Sequence, residues 1–261
     1  MYRFLLRPKW LGFHLLCIAV VVAMINLGFW QLRRLDEKRS FNERVRSTAN
    51  QPIAPYADVV DGAGDDLTSI EYRRVEVTGT YLDRQFEVVN VSQDGTSGHD
   101  QVLVLQLSDG TLLAVNRGFA VGAAAFPPVP SGEVTLIGRI RRGQRAGTGQ
   151  TADDGSQFLT EIRRMDLVAL GAQFDQPLQP VYLDGLAEGG SEITGLVPIA
   201  FPTLDEGPHL SYAIQWFIFS TAVVAGWVLA VRRSVHDRRE VQQGGDSPPK
   251  RKKPLIPEQY L

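Results

Sequence analysis

The sequence predicts a membrane protein in which two transmembrane helices, one near each end, flank an extracytoplasmic antiparallel β-domain of barrel or sandwich-like form. Three observations predict it: two long uncharged apolar runs, a period-two alternation broken by Gly and Pro between them, and an uneven distribution of charge. The mean hydropathy of -0.09 conceals both runs because it averages them with a polar middle.

Trp10 to Leu32 holds no formal charge over 23 residues, and Leu210 to Val231 none over 22. A bilayer core needs about 20 residues at helical rise, so both are long enough to span. The first run lies behind Arg3, Arg7 and Lys9 in the manner of a signal peptide. It exceeds the 7–15 residues of a signal h-region and ends in Gly28-Phe29-Trp30-Gln31-Leu32-Arg33 without a small-x-small cleavage site, so it reads as an uncleaved anchor.

Two spans put both termini on one side. Basic residues near the span ends are close to balanced, and Lys250-Arg251-Lys252-Lys253 tips them toward a cytoplasmic placement of both termini in the cytoplasmic (inner) membrane. This divides the chain into an N-terminus (1–9), a first span (10–32), a β-rich domain (33–208), a second span (209–231) and a basic tail (232–261). The central domain carries 16 Lys and Arg against 25 Asp and Glu, a net of -9, which argues against nucleic acid as a partner. The tail suits an anionic lipid surface and equally suits a solvated end. Cys17, the single cysteine, lies in the first span, so no intrachain disulfide forms.

In the domain, Arg73 to Tyr81 alternates with period two, Leu82-Asp83 reads as a turn, and Gln85 to Val91 as a returning strand. Val102 to Leu107 and Thr111 to Asn116 flank Ser108-Asp109-Gly110, where Asp-Gly signals a hairpin. Glu133 to Arg141, Pro180 to Leu183 and Gly195 to Ile199 are further strand candidates, and Glu161 to Leu170 a helix. Arg33 to Asn50 has helical composition and extends the first helix into water, while 61–66 and 143–155 read as loops.

No GxSxG elbow, HExxH, Walker loop or GxGxxG is present, so an enzyme is not expected. A tethered hydrolase would have to rest on His99, which a turn with a polar tip explains as well. His209 opens the second span behind Gly207-Pro208, and the i, i+3, i+7 spacing puts His209, Tyr212 and Trp216 on one helix face. An imidazole above two aromatic rings at a membrane surface suits haem, with Arg33 and Arg34 at the same level for propionates. It is also ordinary interfacial decoration. His14 lies about 27 Å below Leu32 at 1.5 Å per residue, too deep to share an iron with His209. Asn26 and Gln215 sit at similar depths, each roughly 9 Å into its span, and are expected to pair the helices.

Four segments together resemble the Surfeit locus protein 1 family. Leu27-Gly28-Phe29-Trp30-Gln31-Leu32-Arg33 is similar to its LGxWQxxR, and Arg74 to Tyr81 to its VxVxGxY strand. Val115-Asn116-Arg117-Gly118-Phe119 is similar to VNRGF, and His209, Tyr212 and Trp216 to HxxYxxxW. The stretch from Gln157 to Asp166 lacks the family's Trp and His, and the usual proline after VNRGF is missing. The resemblance implies assembly of haem-copper cytochrome c oxidase, delivering or stabilising the a-type haem of subunit I with His209 as ligand. A lasting accessory subunit of the oxidase or of a respiratory supercomplex is the other role it allows. For Asn116-Arg117-Gly118, a structural turn with a carboxylate partner stands beside direct haem or oxidase contact.

Overall fold

A computed structural model describes residues 3–243 of the chain; the basic run 250–253 lies outside the described residues. The chain divides into two compact units, Met1–Arg39 with Glu206–Leu261, and Ser40–Asp205. The helices α1 (Pro8–Ala49) and α4 (His209–Gln243) are both long and apolar enough to cross a membrane. The charged stretch after Leu32 continues α1, and beyond Arg39 it presents the buried stripe Asn42, Val45 and Thr48, near the three-to-four spacing of one helix face.

The β unit is built from β1 (Ala54–Pro55), α2 (Tyr56–Ala63), β2 (Arg74–Gln93), β3 (Thr96–Gln106), β4 (Leu112–Val121), β5 (Glu133–Arg142), β6 (Glu161–Ile162), α3 (Leu167–Gly171) and β7 (Leu178–Glu188). The sheet is mixed: β1–β2, β2–β6 and β4–β7 are parallel and the other pairs antiparallel. Its order is β2-β3-β4-β7-β5, and β5 pairs back onto β2, so the sheet rolls up in a sandwich-like form.

The strand β2 makes the roll possible. Arg74 to Thr80 pairs with β5 while Thr80 to Gln93 pairs with β3, and a register shift separates Tyr81 from Gln85. Leu82-Asp83 is therefore not a turn between two strands but an irregularity inside one. It holds neither Gly nor Pro to reverse the chain, and it changes which face is buried. Val75, Val77 and Tyr81 join one core with Leu103, Leu105, Leu113, Val115, Leu136, Ile140, Val181 and Leu183. Phe86 and Val88 join a second with Val102, Val104, Leu112, Ala114 and Tyr182. Because β4 is covered on both faces it is buried from Leu112 to Ala120, which explains its nearly unbroken apolar run.

The segment carrying β6 and α3 closes the second core with Ile162, Met165 and Leu170. A single helix over 161–170 does not form. Asp166 caps α3 by accepting from Val168 N (3.0 Å) and Ala169 N (3.3 Å), so the helix starts after it and the residues before pair with β2. The expected strand at 195–199 reduces to one bridge, Phe119 with Val197, since Gly195 at φ +86° and Pro198 interrupt the ladder. Residues 61–63, read as loop, end α2.

Candidate functional site at the head of α4

Gly207 and Pro208 turn the chain into α4. Gly207 has φ +64°, and Pro208 O accepts from Tyr212 N (3.1 Å) and Ser211 Oγ (2.8 Å) in the first turn. The first residue of the helix, His209, is half-buried and sets Nδ1 2.8 Å from Gln31 Oε1 on α1. An amide oxygen only accepts, so Nδ1 carries the proton and Nε2 of the neutral ring keeps its lone pair. Nε2 has no hydrogen-bond partner among the described residues, and Gly207 lies beside it, where a Cβ would come into ordinary contact with the ring edge at 3.5 Å.

Hydrogen bonding through the remote nitrogen orients metal-binding imidazoles and raises their basicity. Tyr212 is 47% exposed and Trp216 half-buried, with Trp216 edge-on to Phe219 at 6.2 Å. Arg33 and Arg34 are exposed; Arg34 is tied to Glu37 at 2.5 Å, whereas Arg33 has no partner among the described residues. Further along, Arg39 pairs with Glu206 at 2.8 Å. The donor set, an imidazole held through Nδ1 with Nε2 free of hydrogen-bond partners among the described residues, is of a kind that could hold a haem iron.

The same unit explains other motif residues. A Cβ on Gly28 would meet the Phe217 ring at 2.7 Å, so this glycine marks close helix contact, with Phe29 edge-on to Phe217 at 5.6 Å. Trp30 is 47% exposed. Asn26 and Gln215 make no hydrogen bond to each other among the described residues. Asn26 donates to Val22 O one turn back (2.8 Å) and both side chains are exposed, because an amide within reach of its own helix carbonyl satisfies itself locally. Gln31 with His209 is the polar link instead. Both stand at span ends on one level, and that signal could have found the pair. His14 accepts from Trp227 Nε1 at 2.8 Å, a helix-packing contact.

In the β unit the VNRGF segment is a buried network. Asn116 donates to Asp100 Oδ2 (2.9 Å) and accepts from Gly118 N (3.1 Å). Gly118 sits at φ +144°, and a Cβ there would lie 2.8 Å from Val197 O. Arg117, 3% exposed, pairs with Glu188 at 2.6 Å and donates to Gln101 Oε1 at 2.9 Å. Glu188 also accepts from Tyr81 OH at 2.8 Å. Glu188 was not singled out from sequence; 71 residues separate it from Arg117 and no spacing connects them. His99 belongs to β3 rather than a turn. Its Nδ1 faces Glu87 at 3.0 Å, its Nε2 faces Ala124 O at 3.0 Å, and Phe126 lies against the ring at 4.6 Å.

Burial pushes the Asp100 carboxyl up to about 6 against the Asn116 hydrogen bond, with Asp184 adding to the rise. A carboxyl raised above its unfolded value of about 3.9 favours the fold most when protonated, so this contribution is full below about pH 4 and lost as pH rises through about 6. Asp100→Asn is expected to stabilise the β unit by about 1–3 kcal/mol at pH 7 and by little at pH 4, as measured by denaturant titration at the two pH values.

Two helices long and apolar enough to cross a membrane, in a chain whose β unit buries Asn116 and Arg117, are consistent with a membrane protein. A family model described as the SURF1 family matches residues 18–221, and the chain belongs to that family, whose members are known as assembly factors for cytochrome c oxidase and not as catalysts. It is 29% identical to uncharacterised SURF1-like proteins of Mycobacterium bovis and Mycobacterium tuberculosis, over 99% of this chain and 95% of theirs. A SURF1-like protein of Monosiga brevicollis is 29% identical over 85% of this chain and 88% of its own.

Proposed function

We propose that this chain is a non-enzymatic assembly factor of cytochrome c oxidase that holds a-type haem for subunit I, with His209 as the iron ligand. The observation that carries this is the Nδ1 contact of His209 with Gln31, which leaves Nε2 as a lone-pair donor beside Gly207. Tyr212 and Trp216 would line the macrocycle, and Arg33, which has no partner among the described residues, would meet a propionate ahead of Arg34, which is paired with Glu37. Bound haem would supply an iron that accepts neutral imidazole; the protein's part is to orient that nitrogen and offer apolar cover. The protein would sit in the cytoplasmic membrane with both termini cytoplasmic and the β unit on the outer face, in contact with lipid and oxidase subunits.

The test is the absorption spectrum of full-length protein purified from cells that make a-type haem. A haem spectrum is expected, lost in His209→Ala and weakened about 10–100-fold in affinity in Gln31→Ala. Deletion is expected to lower the haem content of the oxidase. Haem-free protein from haem-replete cells, with unchanged oxidase haem in the deletion strain, defeats the proposal. Near-stoichiometric recovery with active oxidase would instead favour a lasting accessory subunit of the oxidase or a respiratory supercomplex.

A further inference from the structure

The antiparallel pairing of β2 and β5 sets Arg74 directly opposite Arg139, and β7 sets Asp184 opposite Arg139 and Tyr182 opposite Arg141. Residues opposed in a ladder share a face, as do residues two apart on one strand, so Arg74 and Arg139 face each other with Arg141 next along β5. Arg141 is committed, with Nη1 3.0 Å from Asp184 Oδ2 and Nε 3.8 Å from Glu71 Oε1. Arg74 and Arg139 are not. Neither makes an ion pair or hydrogen bond among the described residues, yet Arg74 Nε and Arg139 Nη1 are both shut off from water.

Like charges facing across a ladder weaken it, and a buried donor without an acceptor adds to the cost. Desolvation holds the Arg139 guanidinium below its usual range, Asp184 opposing and Arg141 and Arg74 adding to the shift. The cover over this row is thin. Phe201 lies 4.7 Å from the Arg139 guanidinium and is 39% exposed, and both arginines are only half-buried.

We propose that Arg74 and Arg139 form a receptor for an oxyanion, a carboxylate or phosphate group, held between the two guanidinium groups beside Phe201. Guanidinium forks match both oxyanions in geometry, and one such group would turn a repelling pair into a bridged one while giving both orphan donors an acceptor. The site is independent of His209 and of the haem proposal.

The test uses full-length protein in zwitterionic nanodiscs, followed by scanning calorimetry in chloride, inorganic phosphate and succinate at equal ionic strength. Phosphate or succinate is expected to raise the unfolding midpoint of the β unit by roughly 5 °C at about 100-fold over its dissociation constant, and Arg139→Gln to abolish the rise apart from general salting effects. Arg74→Gln is expected to unfold above wild type in chloride, where it relieves repulsion, and below it in phosphate. That crossover is not produced by a merely structural arginine. Should Arg139→Gln fail to fold, Arg139→Lys keeps the charge without the fork and should show a reduced shift. Phosphatidylglycerol nanodiscs in chloride separate the sources: a rise there alone assigns a lipid headgroup, and a rise with soluble anions a free ligand. Equal midpoints in every anion and lipid, or a rise that survives both Gln variants, would overturn the proposal.

Discussion

Glu188→Ala is expected to destabilise the β unit by about 3–5 kcal/mol, the cost of leaving a buried charge without its partner. The charge is Arg117, 3% exposed and held by both oxygens of Glu188 at 2.6 and 3.2 Å. The carboxylate that alanine removes also accepts from Tyr81 OH, so a second buried group loses its partner. Gln101 Oε1 at 2.9 Å and Pro128 O at 3.4 Å still face the guanidinium, but neither carries a formal charge to balance it. At about 2–4 °C per kcal/mol for a unit of this size, the calorimetric midpoint should fall by roughly 6–20 °C. Replacing both partners by apolar residues, Arg117→Met with Glu188→Leu, should cost far less than Glu188→Ala alone, because no charge is left behind. A single-variant loss below about 1 kcal/mol would mean that water reaches Arg117 and the pair is not structural.

The contrast between the two ends of that pair shows what was legible in the sequence. Arg117 stands out because it interrupts an apolar strand, and a buried arginine needs an acid. Which acid depends on where β4 and β7 lie in the rolled sheet, and local pattern does not contain that. The two long terminal helices, the Asp-Gly hairpin and β5 were legible because each is set by local periodicity or turn chemistry. The β2 irregularity was not. Alternation stops at Leu82 whether the chain reverses or changes face, and only the partner strands distinguish the two. The β6–α3 segment differs for a related reason: its apolar residues Ile162, Met165 and Leu170 are buried at a spacing that suits a helix, but by a strand, a turn and a capped helix in succession. At the helix ends, His209 was legible as a residue type at a span boundary. Its orientation was not, since it is set by Gln31, 178 positions away.

Gly79→Ala is expected to cost about 3 kcal/mol, the upper end of the range for overfilling a packed interior. The glycine of the VxVxGxY strand is not required there for its backbone angles. Its role is room: a Cβ would lie 2.4 Å from the carbonyl oxygen of Gln106 and 2.8 Å from Leu105 Cγ. At this point β2 leaves β5 for β3, and Thr80 pairs with both Glu133 and Gln106. Three strands converge, and neither neighbouring ladder can shift without breaking its own hydrogen bonds. The clash falls on backbone, so a rotamer change does not relieve it. Gly62, inside α2 with nothing within 4 Å of its would-be Cβ, supplies the control: Gly62→Ala should be neutral or stabilising by about 0.4–1 kcal/mol through the entropy of the unfolded chain. Denaturant titration of the two variants separates space from flexibility. A Gly79→Ala protein as stable as Gly62→Ala would show that the strands do not converge as tightly as the Gln106 carbonyl places them.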